Sequence, residues 1–252
     1  MVNPFQHIEE AVVQFGAGDS VLGITEVEHE VFVAVTCRFD LATSKARPGS
    51  AAAWKVDMNV WVADKQNAVT LVANLTDIGL PDGVVALNGS NSVLIADAAK
   101  ALIWKLDTIS GDYTIILEDD ILFPSNPQLP QLPLGVDGLH ILNDYLYFTN
   151  LGDNILCRVA VDNAGNPTDE IDLIATMPFP DNFALTANGT AYVVGANQLY
   201  RVSPAGEIDV LARGLNSTLL EGATSAHFRR TPKYDGVLYI GRVTANGPRV
   251  RG

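Results

Sequence analysis

Across its 252 residues the chain is 48% hydrophobic and 18% charged, with 16 Lys and Arg against 29 Asp and Glu and a formal net charge of −13. That apolar fraction excludes a disordered polypeptide, and no run of about 18 apolar residues exists to span a bilayer. The acidity speaks against nucleic acid as a partner, because such binders release counterions with basic stripes.

Taken in chain order, the predicted elements are short strands. Residues 11–15 read as one outer strand. Leu22-Gly23-Ile24 opens the first full unit, followed by strands at 31–35, at Trp54-Lys55-Val56-Asp57 and at 68–72, with a long insertion at 37–53. The second unit runs through Asp82-Gly83-Val84, 93–97, Trp104-Lys105-Leu106-Asp107 and 113–117. A second insertion, 119–135, carries Phe123 and four prolines. The third unit takes in Asp137-Gly138-Leu139, 145–149, Cys157-Arg158-Val159 and 171–175. The fourth takes in Asp181-Asn182-Phe183, 191–195, Tyr200-Arg201-Val202 and 208–212. Glu221-Gly222-Ala223 and 237–241 begin a fifth, with a further strand expected near Arg249.

The small residue of each opening segment recurs at 23, 83, 138, 182 and 222, at intervals of 60, 55, 44 and 40 residues. Four short strands per repeat, separated by turns such as Asn88-Gly89 and Ser110-Gly111, belong to an all-β propeller. No segment shows sustained helical periodicity. The chain is therefore expected to be a single propeller domain over residues 1–252. Two accounts of its length stay open. Either the strand at 11–15 completes the last blade, giving five, or the chain lacks an N-terminal portion of a larger ring.

These units resemble the superfamily of six-bladed propellers that includes regucalcin, gluconolactonases and strictosidine synthases. The resemblance is greatest to its fungal members, through Val93-Leu94-Ile95-Ala96-Asp97, Trp104-Lys105-Leu106-Asp107-Thr108 and Tyr145-Leu146-Tyr147-Phe148-Thr149-Asn150, and it runs from about residue 11 to 240. It implies an enzyme of specialised metabolism, of the hetero-Diels–Alderase type, that joins a tropolone-derived quinone methide to a terpene alkene. The alternatives are a lactonase or esterase-type hydrolase using Ca²⁺ or another divalent cation, and a non-catalytic binding propeller. Positions aligned with the family's metal-binding Asn, Asn and Asp read Asp82, Asp137 and Asp181 here. The strand bearing the family's axial glutamate has no counterpart in this sequence.

Strands in a blade run up and down, so both insertions and the carboxylates that precede the inner strands fall on one face, called the upper face below. Asp82, Asp137, Asp181 and Glu221 are accordingly the candidate catalytic acids. Like charges around one axis raise one another's pKa, which leaves an acid protonated near neutral pH and able to donate its proton. An Asp before a strand is also ordinary turn chemistry. Arg38, Phe123, His140 and Phe179 are the candidates for contact with an apolar small-molecule substrate, and the cyclase reading demands no cofactor. His140 and His227 fall in inner strands, where a core histidine is the commoner state, and Trp54, Trp104 and Tyr200 share a packing position.

Cys37 and Cys157 fit neither metal spacing nor a disulfide framework, and no nucleophile elbow, zinc helix or dinucleotide loop is present. No signal peptide is visible at the start as given, whereas sequons at Asn74, Asn88, Asn188 and Asn216 hint at a secretory origin. Oligomeric state is not legible.

Overall fold

The computed structural model describes residues 2–3, 8–9, 12–16, 19–40, 43, 45–65, 67–125, 134–212, 220–228, 236–242 and 249–251. It is a propeller with four four-stranded blades followed by a three-stranded sheet. Blade 1 comprises Ser20–Glu28, Val31–Cys37, Ala52–Asp57 and Val69–Asn74. Blade 2 comprises Pro81–Ala86, Ser92–Asp97, Leu102–Asp107 and Tyr113–Glu118. Blade 3 comprises Val136–Leu142, Tyr145–Asn150, Ile155–Ala160 and Asp172–Thr176, and blade 4 Phe183–Leu185, Ala191–Gly195, Gln198–Val202 and Ile208–Ala212. The fifth sheet holds Ala223–Phe228, Leu238–Arg242 and Arg249–Arg251. No helix among the described residues is long and apolar enough to cross a membrane.

Why the second strands read as unbroken apolar runs follows from where their two faces go. Ser92–Asp97 is buried at every position. Val93 and Ile95 pack with Val33 and Val35 of blade 1, whereas Leu94 and Ala96 pack with Leu146 and Phe148 of blade 3. A strand buried on both faces loses the polar alternation of a half-exposed one. The core is thus a series of inter-blade layers, continued by Leu156 against Phe183 and by Val194 against Ala226.

The repeated Trp-Lys phrase marks a backbone irregularity as well as packing. In each four-stranded blade the pairing of third and outer strands slips at this position: at Ala53/Trp54, Ile103/Trp104, Leu156/Cys157 and Leu199/Tyr200. Such a bulge increases local twist, as expected where a blade must fan outward from the axis. Trp54 donates from Nε1 to Thr36 Oγ1 at 3.0 Å, and Trp104 stacks edge-on to Tyr113 with centroids 5.6 Å apart.

Residues 12–15 do not complete the last blade. Residues 12–15 form no strand and lie against blade 1, where the Phe15 ring sits 5.4 Å from Trp54 and Trp61 Nε1 donates to the Val12 carbonyl at 3.2 Å. The apolar pattern taken for a ladder strand therefore reflects packing onto Trp54 and Trp61; Ala11 lies outside the described residues. Trp61 ends the one-turn helix Met58–Trp61, capped by the Asp57 carboxylate accepting from the Asn59 and Val60 amides. Four residues are too few to show helical periodicity, which is why this element is absent from the sequence reading.

Candidate active site

Pro81 pairs opposite Asp97, and Val136 opposite Asn150. The start of each inner strand therefore lies beside the end of the second strand, which puts the inter-blade connections and the 37–53 insertion on one face. On that face the inner strands approach so closely that small residues are required. A Cβ on Gly23 would lie 2.2 Å from the Asp82 carbonyl, and one on Gly83 would lie 2.2 Å from the Asp137 carbonyl. One on Gly138 would lie 2.9 Å from Asn182 Cα. The repeated glycine is thus the condition for bringing Asp82, Asp137 and Asp181 around the axis.

Asp137 is 2% exposed, and its Oδ1 is buried without a hydrogen-bond partner among the described residues. Burial, followed by the charges of Asp82 and Asp181, pushes its carboxyl well above the ordinary range. Asp181 is raised for the same reasons, burial first and then Asp82, against a lowering contribution from the Asn182 amide. Burial alone lifts Asp82 to about 7. Both Asp82 and Asp181 are half-buried by surface area, yet enough protein surrounds them for desolvation to dominate. Three carboxyl groups raised together retain a proton at neutral pH.

The backbone around them is fixed. The Gly138 amide donates to Thr149 Oγ1 at 2.9 Å, and that hydroxyl donates to the Asp181 carbonyl at 2.5 Å. The Asp181 amide donates to the Val194 carbonyl at 2.9 Å. On the same inner strand as Asp137, the His140 ring lies 4.7 Å from Phe183 and 5.9 Å from His227. Burial and then the His227 charge depress its pKa to about 4, despite hydrogen bonds involving Asn182 and Phe183, so the imidazole is neutral.

Glu221 is not brought into this group: it is exposed in the turn before the fifth sheet, and its carbonyl accepts from Arg242 Nε at 2.7 Å. Arg38 is exposed at the mouth of the first insertion, with Nε 3.3 Å from Asp19 Oδ1. Phe123 is 47% exposed and follows the 3-10 turn Asp120–Leu122. Phe179 is half-buried with φ of 48°, its amide donating to Asn154 Oδ1 at 2.8 Å and its carbonyl pressed onto Gly195. Residues 126–133 of the proline-rich insertion lie outside the described residues. Its first end is anchored where Ser125 donates from N and Oγ to Asp153, at 2.7 and 2.8 Å.

Sequence reasoning passed over Asp97 and Asn150, which are fully buried at the ends of second strands. Asp97 accepts from the Gly79, Leu80 and Lys100 amides, and Asn150 Nδ2 donates to the Ile121 and Phe123 carbonyls. Each clasps the linker that enters its own blade. The available signal was a polar residue closing an otherwise apolar strand in two successive repeats. Cys37 is a buried thiol raised to about 12, by burial first and then by Asp82 and Asp19, so it is not a nucleophile near neutral pH.

The raised acids imply a pH-dependent stability. Between its unfolded value of 3.8 and about 7, Asp82 binds more proton in the folded state, so its contribution is fully present below 3.8 and is lost as pH rises through about 7. His140, lowered from 6.5 to about 4, has the opposite slope between those values. Comparing wild type with Asp82→Asn by urea unfolding isolates the first effect. The variant gains relative stability as pH is raised from about 4 to about 7; a constant difference across that window contradicts it.

No protein-family model matches the chain. A protein from Phoma sp., whose name gives it provisionally as a hetero-Diels-Alderase, is 24% identical over 256 residues, covering 88% of this chain and 69% of that protein. A second, from Sarocladium schorii and named in the same way, is 24% identical over 253 residues, covering 88% of this chain and 63% of its own length. Among solved structures, the calcium-binding protein regucalcin from Agrobacterium tumefaciens strain C58 matches with a TM-score of 0.52 at 14% identity, over 88% of this chain and 81% of that one. At that identity the likeness is one of fold alone.

Proposed function

We propose that the chain is a cyclase that generates a quinone methide from a hydroxymethyl enol and adds it to a terpene alkene in a hetero-Diels–Alder reaction. The observation that carries this reading is the group of carboxyls Asp82, Asp137 and Asp181 on the upper face, all raised above the ordinary range and chiefly by burial. The names of the two relatives supply the reaction class.

A protonated axial carboxyl donates to the hydroxymethyl oxygen, the C–O bond breaks, and water leaves. A neighbouring carboxylate takes the proton of the ring hydroxyl, giving a neutral oxadiene and restoring the number of protons on the group. Addition of the alkene then forms one C–C and one C–O bond without further proton or electron transfer, so the protein contributes chiefly proximity. Neutral His140, half-buried and backed by the fully buried Phe183 ring, adds an uncharged side chain to the inner strand that carries Asp137.

The hydrolase alternative needs a divalent cation at the same carboxylates. Among the described residues no three His, Cys, Asp or Glu side chains come together as a metal-ligand group. No step of the cyclase reaction is routed through an ion. The deciding assay mixes purified protein with the hydroxymethyl enol and the alkene and follows the product by mass. An adduct equal to the two reactants less one water, formed faster than without protein, is the expected result. Equal rates with and without protein overturn the proposal.

A further inference from the structure

An open groove of about 330 Å³ lies in the first insertion, lined among others by Arg38, Phe39, Asp40, Lys45 and Arg47. It is built on a small hairpin in which Phe39–Asp40 pairs with Lys45–Ala46. The hairpin neck is closed by the Arg47 amide donating to the Arg38 carbonyl at 2.8 Å. Ser50 ties the same neck, its Oγ accepting from the Arg38 amide at 3.0 Å and donating to the Arg47 carbonyl at 2.6 Å. Three of the chain's 16 Lys and Arg thus line one groove with a single Asp, and with Asp19 paired to Arg38 a local excess of one positive charge remains on a molecule of net charge −13.

Cys37, the residue before Arg38, lies within electrostatic reach of both Asp82 and Asp19, and Asp19 holds Arg38. Guanidinium groups present paired N–H donors that match two adjacent oxygens, and the volume is that of a small organic ligand. Phe39, half-buried, supplies an aromatic wall.

We propose that this groove binds a small planar organic anion, with its adjacent oxygens held by the cationic side chains of Arg47 and Lys45 and its ring against Phe39. The enolate form of the proposed substrate is such an anion; bound so, it has already released its ring-hydroxyl proton to solvent, and the carboxyl that protonates the departing hydroxyl group regains its proton from solvent instead of by transfer from the ring hydroxyl. That assignment to substrate rests on the proposed function; the binding itself does not.

The test is calorimetric titration of the full chain near neutral pH in low salt with benzoate, with benzamide as its neutral counterpart, and with inorganic phosphate. Benzoate is expected to bind at least about 10-fold more tightly than either, as a charge-assisted pair over an aromatic contact implies. The preference is expected to vanish in the doubly substituted Lys45→Gln, Arg47→Gln protein, whose changes are at exposed positions and whose folding is checked by thermal melting. It is expected to persist in Asp137→Asn. Equal binding of benzoate and benzamide overturns the anion site, and phosphate binding as tightly as benzoate overturns its organic character. Loss of the preference in Asp137→Asn, or its survival in the double variant, places the anion elsewhere and overturns the groove. Adduct formation without a benzoate preference sinks the groove alone, whereas a benzoate preference without adduct formation sinks the cyclase alone.

Discussion

Replacing Asp137 by Asn lowers turnover of the adduct-forming reaction by about 10²–10⁴-fold, the range expected for removal of a general acid. Asn has the shape of a protonated carboxyl but no acidic proton to give. The change falls on kcat, because the loss is confined to the transition state of C–O cleavage. Stability is maintained or rises, since a neutral group replaces one whose ionisation is opposed by burial and by the charges of Asp82 and Asp181. Steady-state kinetics with a melting curve on the same sample reads both. A folded variant within about threefold of wild type removes Asp137 from the chemistry.

Gly83→Ala is expected to damage stability and turnover together. Its Cβ would lie 2.2 Å from the Asp137 carbonyl and 2.7 Å from the Leu139 amide, both backbone atoms of the next inner strand. A flexible side chain could swing aside, but here two strands must separate. Overpacking of this kind costs about 1–3 kcal/mol, which for a chain of this size lowers the melting temperature by about 2–12 °C. Turnover falls as well, because the displaced strand carries Asp137. Gly89→Ala is the control: it sits at φ of 71° with open space around it, so it pays the conformational penalty without moving the axis. A Gly83→Ala protein as stable as wild type contradicts the close packing of inner strands.

The sequence made the blades legible because a repeat forces the same physical problem at the same position. The glycine at 23, 83 and 138 is periodic because each inner strand presses on the next. The Trp54, Trp104 and Tyr200 position is periodic because each third strand bulges there. What repeats only partly was harder to read. Residues 12–15 have strand-like composition, but their partners are the Trp54 and Trp61 side chains, and nothing local distinguishes a side-chain contact from a ladder. Glu221 shares the register of the three aspartates, yet it is exposed, because register fixes a backbone position and not the depth of the side chain. Asp97 and Asn150 looked like strand ends; their part in clasping the linkers depends on backbone amides and carbonyls 17 to 29 residues away.

The account rests on Asp82, Asp137 and Asp181 sharing protons at neutral pH. The direct measurement is a ¹³C NMR titration of aspartate carboxyl groups in the full chain, with the three signals assigned by their loss in the single Asn variants. Asp82 is expected to titrate near about 7, and Asp137 and Asp181 well above the ordinary aspartate value of 3.8. If all three complete their titration below about pH 5, as unperturbed aspartates do, no axial acid exists to expel water and the proposed chemistry is wrong.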